Sequence, residues 1–225
     1  MKSTKLKIAG LVFTLATSAM MFQGCAKATK TQKGTVIGSA AGGTIGAIIG
    51  KKVGNTAVGA IIGGAVGGTA GAYIGRKMDR QAEEIKNSIP NAEVIREGEG
   101  IVVKFDSGIL FDVNQSDLKT IARNNIDNLA NSLKNNPETD ILIIGHTDAT
   151  GTENYNLRLS ERRAASVRSY IIAQGIAPTR LSIEGRGETE AIADNESETG
   201  RALNRRVEIV IVANEKMKAE AKSGK

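Results

Sequence analysis

The chain is poor in the residues that build cross-links and metal cages: its 225 residues include one cysteine, one histidine, three prolines and no tryptophan. A lone cysteine forms no internal disulfide, and one His with one Cys cannot supply the four ligands of an ordinary zinc site. A disulfide framework and a structural zinc are therefore excluded, and no metal or other cofactor is expected. Aromatics are few, three Tyr and four Phe, which leaves little on which the bases of a nucleic-acid strand could stack. The formal charge of +6 does not rescue such a partner, because residues 90–225 hold 18 basic against 21 acidic side chains. The part that reads as a folded domain is mildly acidic, and no nucleic acid is expected as a partner.

What is present begins with an address. Lys2, Lys5 and Lys7 precede an uncharged run from Ile8 to Phe22, and Gln23-Gly24-Cys25 follow. A basic start, a short apolar stretch and a small residue describe a signal peptide over 1–24, too short to span a bilayer comfortably. The only cysteine falls directly after Gly24, and this resembles the lipobox of bacterial lipoproteins, with Phe22 and Gln23 standing where that class more often has an aliphatic and a small residue. The resemblance implies cleavage before Cys25 and acylation of it. Acyl chains contributing about 0.8 kcal/mol per buried CH₂ would hold the chain on a membrane. Ordinary cleavage nearby, leaving a free thiol, is the alternative. Ala26-Lys27 lack the Asp that retains the best-studied lipoproteins at the inner membrane, so the resemblance implies the outer membrane. Residues 25–33 are then the anchor and a short linker.

Glycines recur every four residues at 34, 38, 42, 46, 50 and 54, and again at 59, 63, 67, 71 and 75. On a helix a four-residue step returns to nearly the same face, giving a groove of bare backbone between ridges of Ile, Val and Thr. Each glycine costs up to about 1 kcal/mol in an isolated helix, so the pattern demands compensation from close packing or a membrane. Lys51-Lys52 and Asn55 interrupt it and Arg76-Lys77 close it, which predicts a helical hairpin within 34–77. This resembles the glycine-zipper segments of bacterial envelope proteins. The hairpin either inserts into a membrane or drives a homo-oligomer; a flexible spacer is the bland alternative. Residues 78–99 read as a charged connector.

Residues 100–212 alternate strand and helix signals. Ile101–Phe105, Ile141–Ile144, Leu181–Ile183 and Val207–Val212 are apolar, β-rich runs. Ser116 is a candidate N-cap for a helix with Leu118, Ile121, Ile126, Leu129 and Leu133 inward, and residues 153–174 form a second helix ended by Gly175. The order β-α-β-α-β-(short α)-β implies an α+β fold, a mixed sheet with helices packed on one face. The Lys- and Glu-rich tail 213–225 lacks apolar periodicity and is expected to fray.

Within this region Phe111-Asp112-Val113-Asn114, Gly145-His146-Thr147-Asp148, the run Tyr155 to Ala164 and the run Gly200 to Glu208 resemble, in order and spacing, the successive motifs of the OmpA-like (OmpA/MotB carboxy-terminal) family. Members hold peptidoglycan non-covalently by its diaminopimelate residue. The resemblance implies that Asp148 and Arg163 grip that amino acid, with Asn114, Thr147, Asn156 and Arg205 at supporting positions; Ala191 stands where the family often has proline. The chemistry suits the ligand independently of the family. Diaminopimelate keeps a free zwitterionic end, which needs an anion for its ammonium and a fork of donors for its carboxylate, and only Arg offers two parallel N–H bonds. Asp148 precedes the second helix and Arg163 lies three turns into it, so the two converge only if the loop folds back along the helix. Taken singly, each residue has a bland reading as a cap, a turn residue or a surface charge.

His146, Asp148 and Ser160 invite a triad, but no nucleophile elbow surrounds Ser160 and the histidine stands two residues from its acid, so no catalytic residue is expected. The expected role is an envelope lipoprotein on the periplasmic side of the outer membrane, tethering it to peptidoglycan. The alternative is a glycine-zipper oligomer or assembly factor that its wall-binding domain only positions.

Overall fold

The computed structural model describes residues 68–112 and 114–224. The signal peptide, Cys25 and the glycine rhythm up to Gly67 lie outside the described residues. In chain order the elements are α1 (Gly68–Ser88), β1 (Glu93–Glu97), β2 (Gly100–Asp106), a single turn α2 (Ser107–Leu110), α3 (Thr120–Asn135), β3 (Thr139–Gly145), α4 (Glu153–Ala173), β4 (Leu181–Gly185), α5 (Glu198–Asn204), β5 (Arg206–Ala213) and α6 (Glu215–Ser223). The five strands form one mixed sheet in the order β1-β2-β5-β3-β4. Only β3 and β4 run parallel, joined through α4 in a crossover; β1/β2, β2/β5 and β5/β3 are antiparallel.

One face of the sheet carries the main core. Ile101, Val103 and Phe105 of β2, Ile141 and Ile143 of β3, and Val207, Ile209 and Ile211 of β5 project to it at the strand period of two. Opposite them lie Ile126, Leu129 and Leu133 of α3, Val167 and Ile171 of α4, and Ile74, Met78, Ile85 and Ile89 from α1 and its end. The α+β fold with helices on one face is what the apolar pattern predicts. Among the described residues, no helix is long and apolar enough to cross a membrane.

Four expectations need correction. Residues 78–99 are not a connector: α1 runs through the Arg76-Lys77 boundary, and β1 pairs with β2 from Glu93↔Lys104 to Glu97↔Gly100. The physical reason is the period of Ile74, Met78, Ala82, Ile85 and Ile89, a helical stripe that a boundary drawn at the charges cuts in two. Gly71 and Gly75, the last two glycines of the four-residue rhythm, lie in this helix and are buried, and Arg96 donates to the Gly75 carbonyl at 3.3 Å. The tail is not frayed either: Asn214 caps α6 by accepting from the Met217 N–H, and Met217 and Ala221 are buried in the core. Ser116 is not a cap, since α3 begins at Thr120 after Lys119, which makes no side-chain cap bond. Ile121, expected inward, is 49% exposed for the same reason: the helix starts later and its inward face is set by Ala122, Ile126, Leu129 and Leu133.

The register gathers one end of the sheet. Asp106 ends β2 opposite Arg206, which opens β5, and Gly145 ends β3 opposite Val207 and beside Gly185. The segments leaving these ends carry Ser107, Thr147, Asp148 and Arg205. Gly145 permits α4 to lie against this end, because a Cβ there would stand 2.2 Å from the Ser160 carbonyl oxygen.

Candidate functional site

A cavity of about 630 Å³ opens at this end, lined by Asn114, Thr147, Asp148, Asn156, Arg163 and Arg205, together with Ser107, Phe111, Asp112, Glu198 and Arg201 among others. All six residues picked out as ligand-binding by the motifs therefore surround one space. Cys25 lies outside the described residues.

The loop does fold back along the helix, and Asn156 is what ties it. Its amide donates to the Asp148 carbonyl oxygen at 3.2 Å and to the Glu188 carboxylate at 2.6 Å, and the residue is 1% exposed. Thr152 caps α4 by accepting from the Tyr155 N–H, so the chain turns directly from the Asp148 loop into the helix that bears Arg163. On the other wall, Asn114 adopts φ 58°, a left-handed conformation that Asn tolerates better than most residues. It turns the 111–119 segment so that the Gln115 carbonyl meets Arg163.

Asp148 and Arg163 differ in how they are satisfied. Asp148 accepts from the Thr150 N–H at 2.9 Å through Oδ1 and from Arg205 Nη1 at 2.7 Å through Oδ2. Burial by itself would raise its pKa, but the hydrogen bonds from Arg205 and Thr150 outweigh that and hold the carboxyl below its ordinary value. Arg205 is shared, its Nη2 bonding the exposed Glu198 at 2.6 Å. Arg163 is 4% exposed, and burial lowers its pKa. Its Nε donates to the Gln115 carbonyl at 3.1 Å and its guanidinium sits 5.3 Å from the centre of the Phe111 ring. Among the described residues it has no ion-pair partner. The site thus holds, on one cavity, a paired anion and a buried cation that feels the Asp148 charge without an ion-pair contact to it.

Sequence reasoning missed Ser107, Glu198 and Arg201. Arg201 lies inside the run Gly200 to Glu208 and Glu198 two residues before it; Ser107 follows an aspartate at a strand end and carries no pattern of its own. The triad suggested by His146, Asp148 and Ser160 is not assembled. Ser160 Oγ donates to the Leu157 carbonyl at 2.7 Å and accepts from the Gly187 N–H at 2.9 Å. His146 is 0% exposed, and burial, with the charges of Arg206, Arg186 and Lys104, lowers its pKa to about 2.

A mixed five-stranded sheet with a cavity at one end that carries both acidic and basic side chains defines the class, an α+β domain. Residues 110–205 match the model of the OmpA family, and residues 1–79 match the YMGG-like Gly-zipper. The chain is 45% identical over 114 residues to an outer membrane protein A of Bordetella avium, covering 51% of this chain and 59% of that one. It is 38% identical over 99 residues to a peptidoglycan-associated lipoprotein of Pseudomonas aeruginosa, covering 44% and 58%. Among solved structures, the cell wall anchor of the T6SS from Pseudomonas aeruginosa superposes with a TM-score of 0.53 at 30% identity, over 61% of this chain and 97% of that one. The chain carries an OmpA family domain over residues 110–205. It spans less than two thirds of the length of these two curated relatives, 59% and 58%.

Proposed function

We propose that this protein is a non-catalytic envelope lipoprotein that tethers the outer membrane to the cell wall by gripping the diaminopimelate residue of peptidoglycan. The observation that carries the reading is Arg163, a buried guanidinium without an acidic partner that lines the same cavity as Asp148. A buried cation is costly unless paired, and a ligand carboxylate would pair it. Asp148 would take the ammonium of the same zwitterionic end. Similarity to a peptidoglycan-associated lipoprotein and to a cell wall anchor supports the wall as the source of that ligand. Acylated Cys25 would supply the membrane end, and the glycine-zipper residues lie between the two.

Residues 78–99 fold into the domain instead of spanning as an extended linker, so they add no reach to the tether. The test is sedimentation of the full-length protein, in detergent, with sacculi whose stem peptides carry diaminopimelate and with sacculi carrying lysine there. Co-sedimentation with the first and not the second is expected. Equal recovery with both, or none with either, refutes the assignment.

A further inference from the structure

We propose that the Ser107 hydroxyl, with that of Thr147, completes an acceptor cage for the ligand's ammonium, which makes Ser107 a binding residue of this site. The inference rests on the function proposed above and goes beyond it by assigning what holds the ammonium besides Asp148.

A primary ammonium has three N–H donors, and a site that strips it of water must offer an acceptor to each. Asp148 alone does not supply three, because the Thr150 N–H takes one acceptor site of Oδ1 and Arg205 one of Oδ2, which leaves a single site on each oxygen. Two further oxygens in the cavity have no partner. Ser107 Oγ and Thr147 Oγ1 are buried without a hydrogen bond, in residues 2% and 4% exposed, and both residues line the cavity. Buried hydroxyls without a partner are uncommon and costly in folded proteins. Here both backbones are fixed. The Ser107 N–H donates to the Arg205 carbonyl at 2.9 Å and the Thr147 N–H to the Gly187 carbonyl at 2.8 Å, which holds the two side chains at the sheet end from which Asp148 and Arg205 also emerge. Arg163, on the same cavity, is held by Phe111 and the Gln115 carbonyl. The cavity therefore divides chemically into acceptors, Asp148 with two hydroxyls, and the donor Arg163.

The division predicts which ligand group each substitution affects. Calorimetry with a muramyl tripeptide ending in meso-diaminopimelate, and NMR titration with the same peptide amidated at its free carboxylate, separate the two sides. Ser107→Ala and Thr147→Val should each weaken the first ligand about tenfold, the size expected for one hydrogen bond to a charged group. They should weaken the amidated ligand by the same factor, because it keeps its ammonium. Thr147→Ser, which keeps the hydroxyl, should bind like the parent, and thermal melts should show all variants folded. If the parent binds the tripeptide and Ser107→Ala binds equally well, the cage is refuted while the proposed function stands. If the Ser107→Ala penalty vanishes with the amidated ligand, the hydroxyl serves the carboxylate and the proposal is overturned. A folded parent that binds neither ligand refutes the function itself and the cage with it.

Discussion

Replacing Arg163 by Met separates binding from folding more sharply than any other change at this site. In the free protein the guanidinium makes one hydrogen bond, to Gln115, and stacks on Phe111; losing both costs about 1–2 kcal/mol. Against that, the substitution removes a buried charge that has no ion-pair contact among the described residues, which offsets much of the loss, and Met keeps most of the packing volume. Net stability should change by no more than about 1 kcal/mol. In the complex the arithmetic differs. Two parallel charge-assisted bonds to a carboxylate disappear and that carboxylate is left desolvated, a loss of about 3 kcal/mol or more. At about 1.4 kcal/mol per tenfold, affinity for the diaminopimelyl tripeptide should fall at least a hundredfold. Arg163→Lys, which retains charge but not the fork, should fall between the two. Calorimetry and a thermal melt on the same samples decide it: affinity within threefold of the parent, with the melting temperature unchanged, would refute a role for Arg163 in holding the ligand.

Three further outcomes follow from the fold. His146 is neutral and buried, its pKa pushed down to about 2 from 6.5, so the unfolded chain binds a proton that the folded chain refuses. Its contribution to stability is complete above about pH 6.5 and declines by about 1.4 kcal/mol per unit as pH falls toward the folded value. Chemical denaturation between pH 6.5 and 5 should show this slope, and it should flatten in His146→Asn; an equal slope in both proteins would contradict it. Gly145→Ala should prevent native folding, seen as loss of the cooperative melt, because the added carbon would stand 2.2 Å from the Ser160 backbone oxygen; a native melting temperature would contradict that packing. Met217→Ala, at a residue 1% exposed, should cost about 2–3 kcal/mol in denaturant titration, whereas a frayed tail would lose nothing.

The sequence was readable where physics leaves a strong period and mute where it does not. The central strands announced themselves as apolar runs because both faces of Ile141–Ile144 and Val207–Val212 are largely buried. β1, with the sequence Glu-Val-Ile-Arg-Glu, is an edge strand whose charges disguise it. α6 escaped notice because only Met217 and Ala221 anchor it. Arg76-Lys77 disguise the middle of α1, because two cations read as an ending while the buried stripe continues on the other side of the helix. At the site, the linked motifs marked six cavity residues, since their types and spacing are unusual together. Ser107 left no trace, because its significance lies in burial and in an unmet hydrogen bond, neither of which a single serine encodes.

The measurement that bears most directly on the central claim is a structure of the protein with the meso-diaminopimelyl tripeptide bound. The account predicts the free carboxylate on Arg163 Nη1 and Nη2 and the ammonium on Asp148, within the cavity between α4 and the 111–119 segment. A peptide bound at another surface, or one whose zwitterionic end faces solvent while Arg163 keeps only its contacts to Gln115 and Phe111, would contradict it.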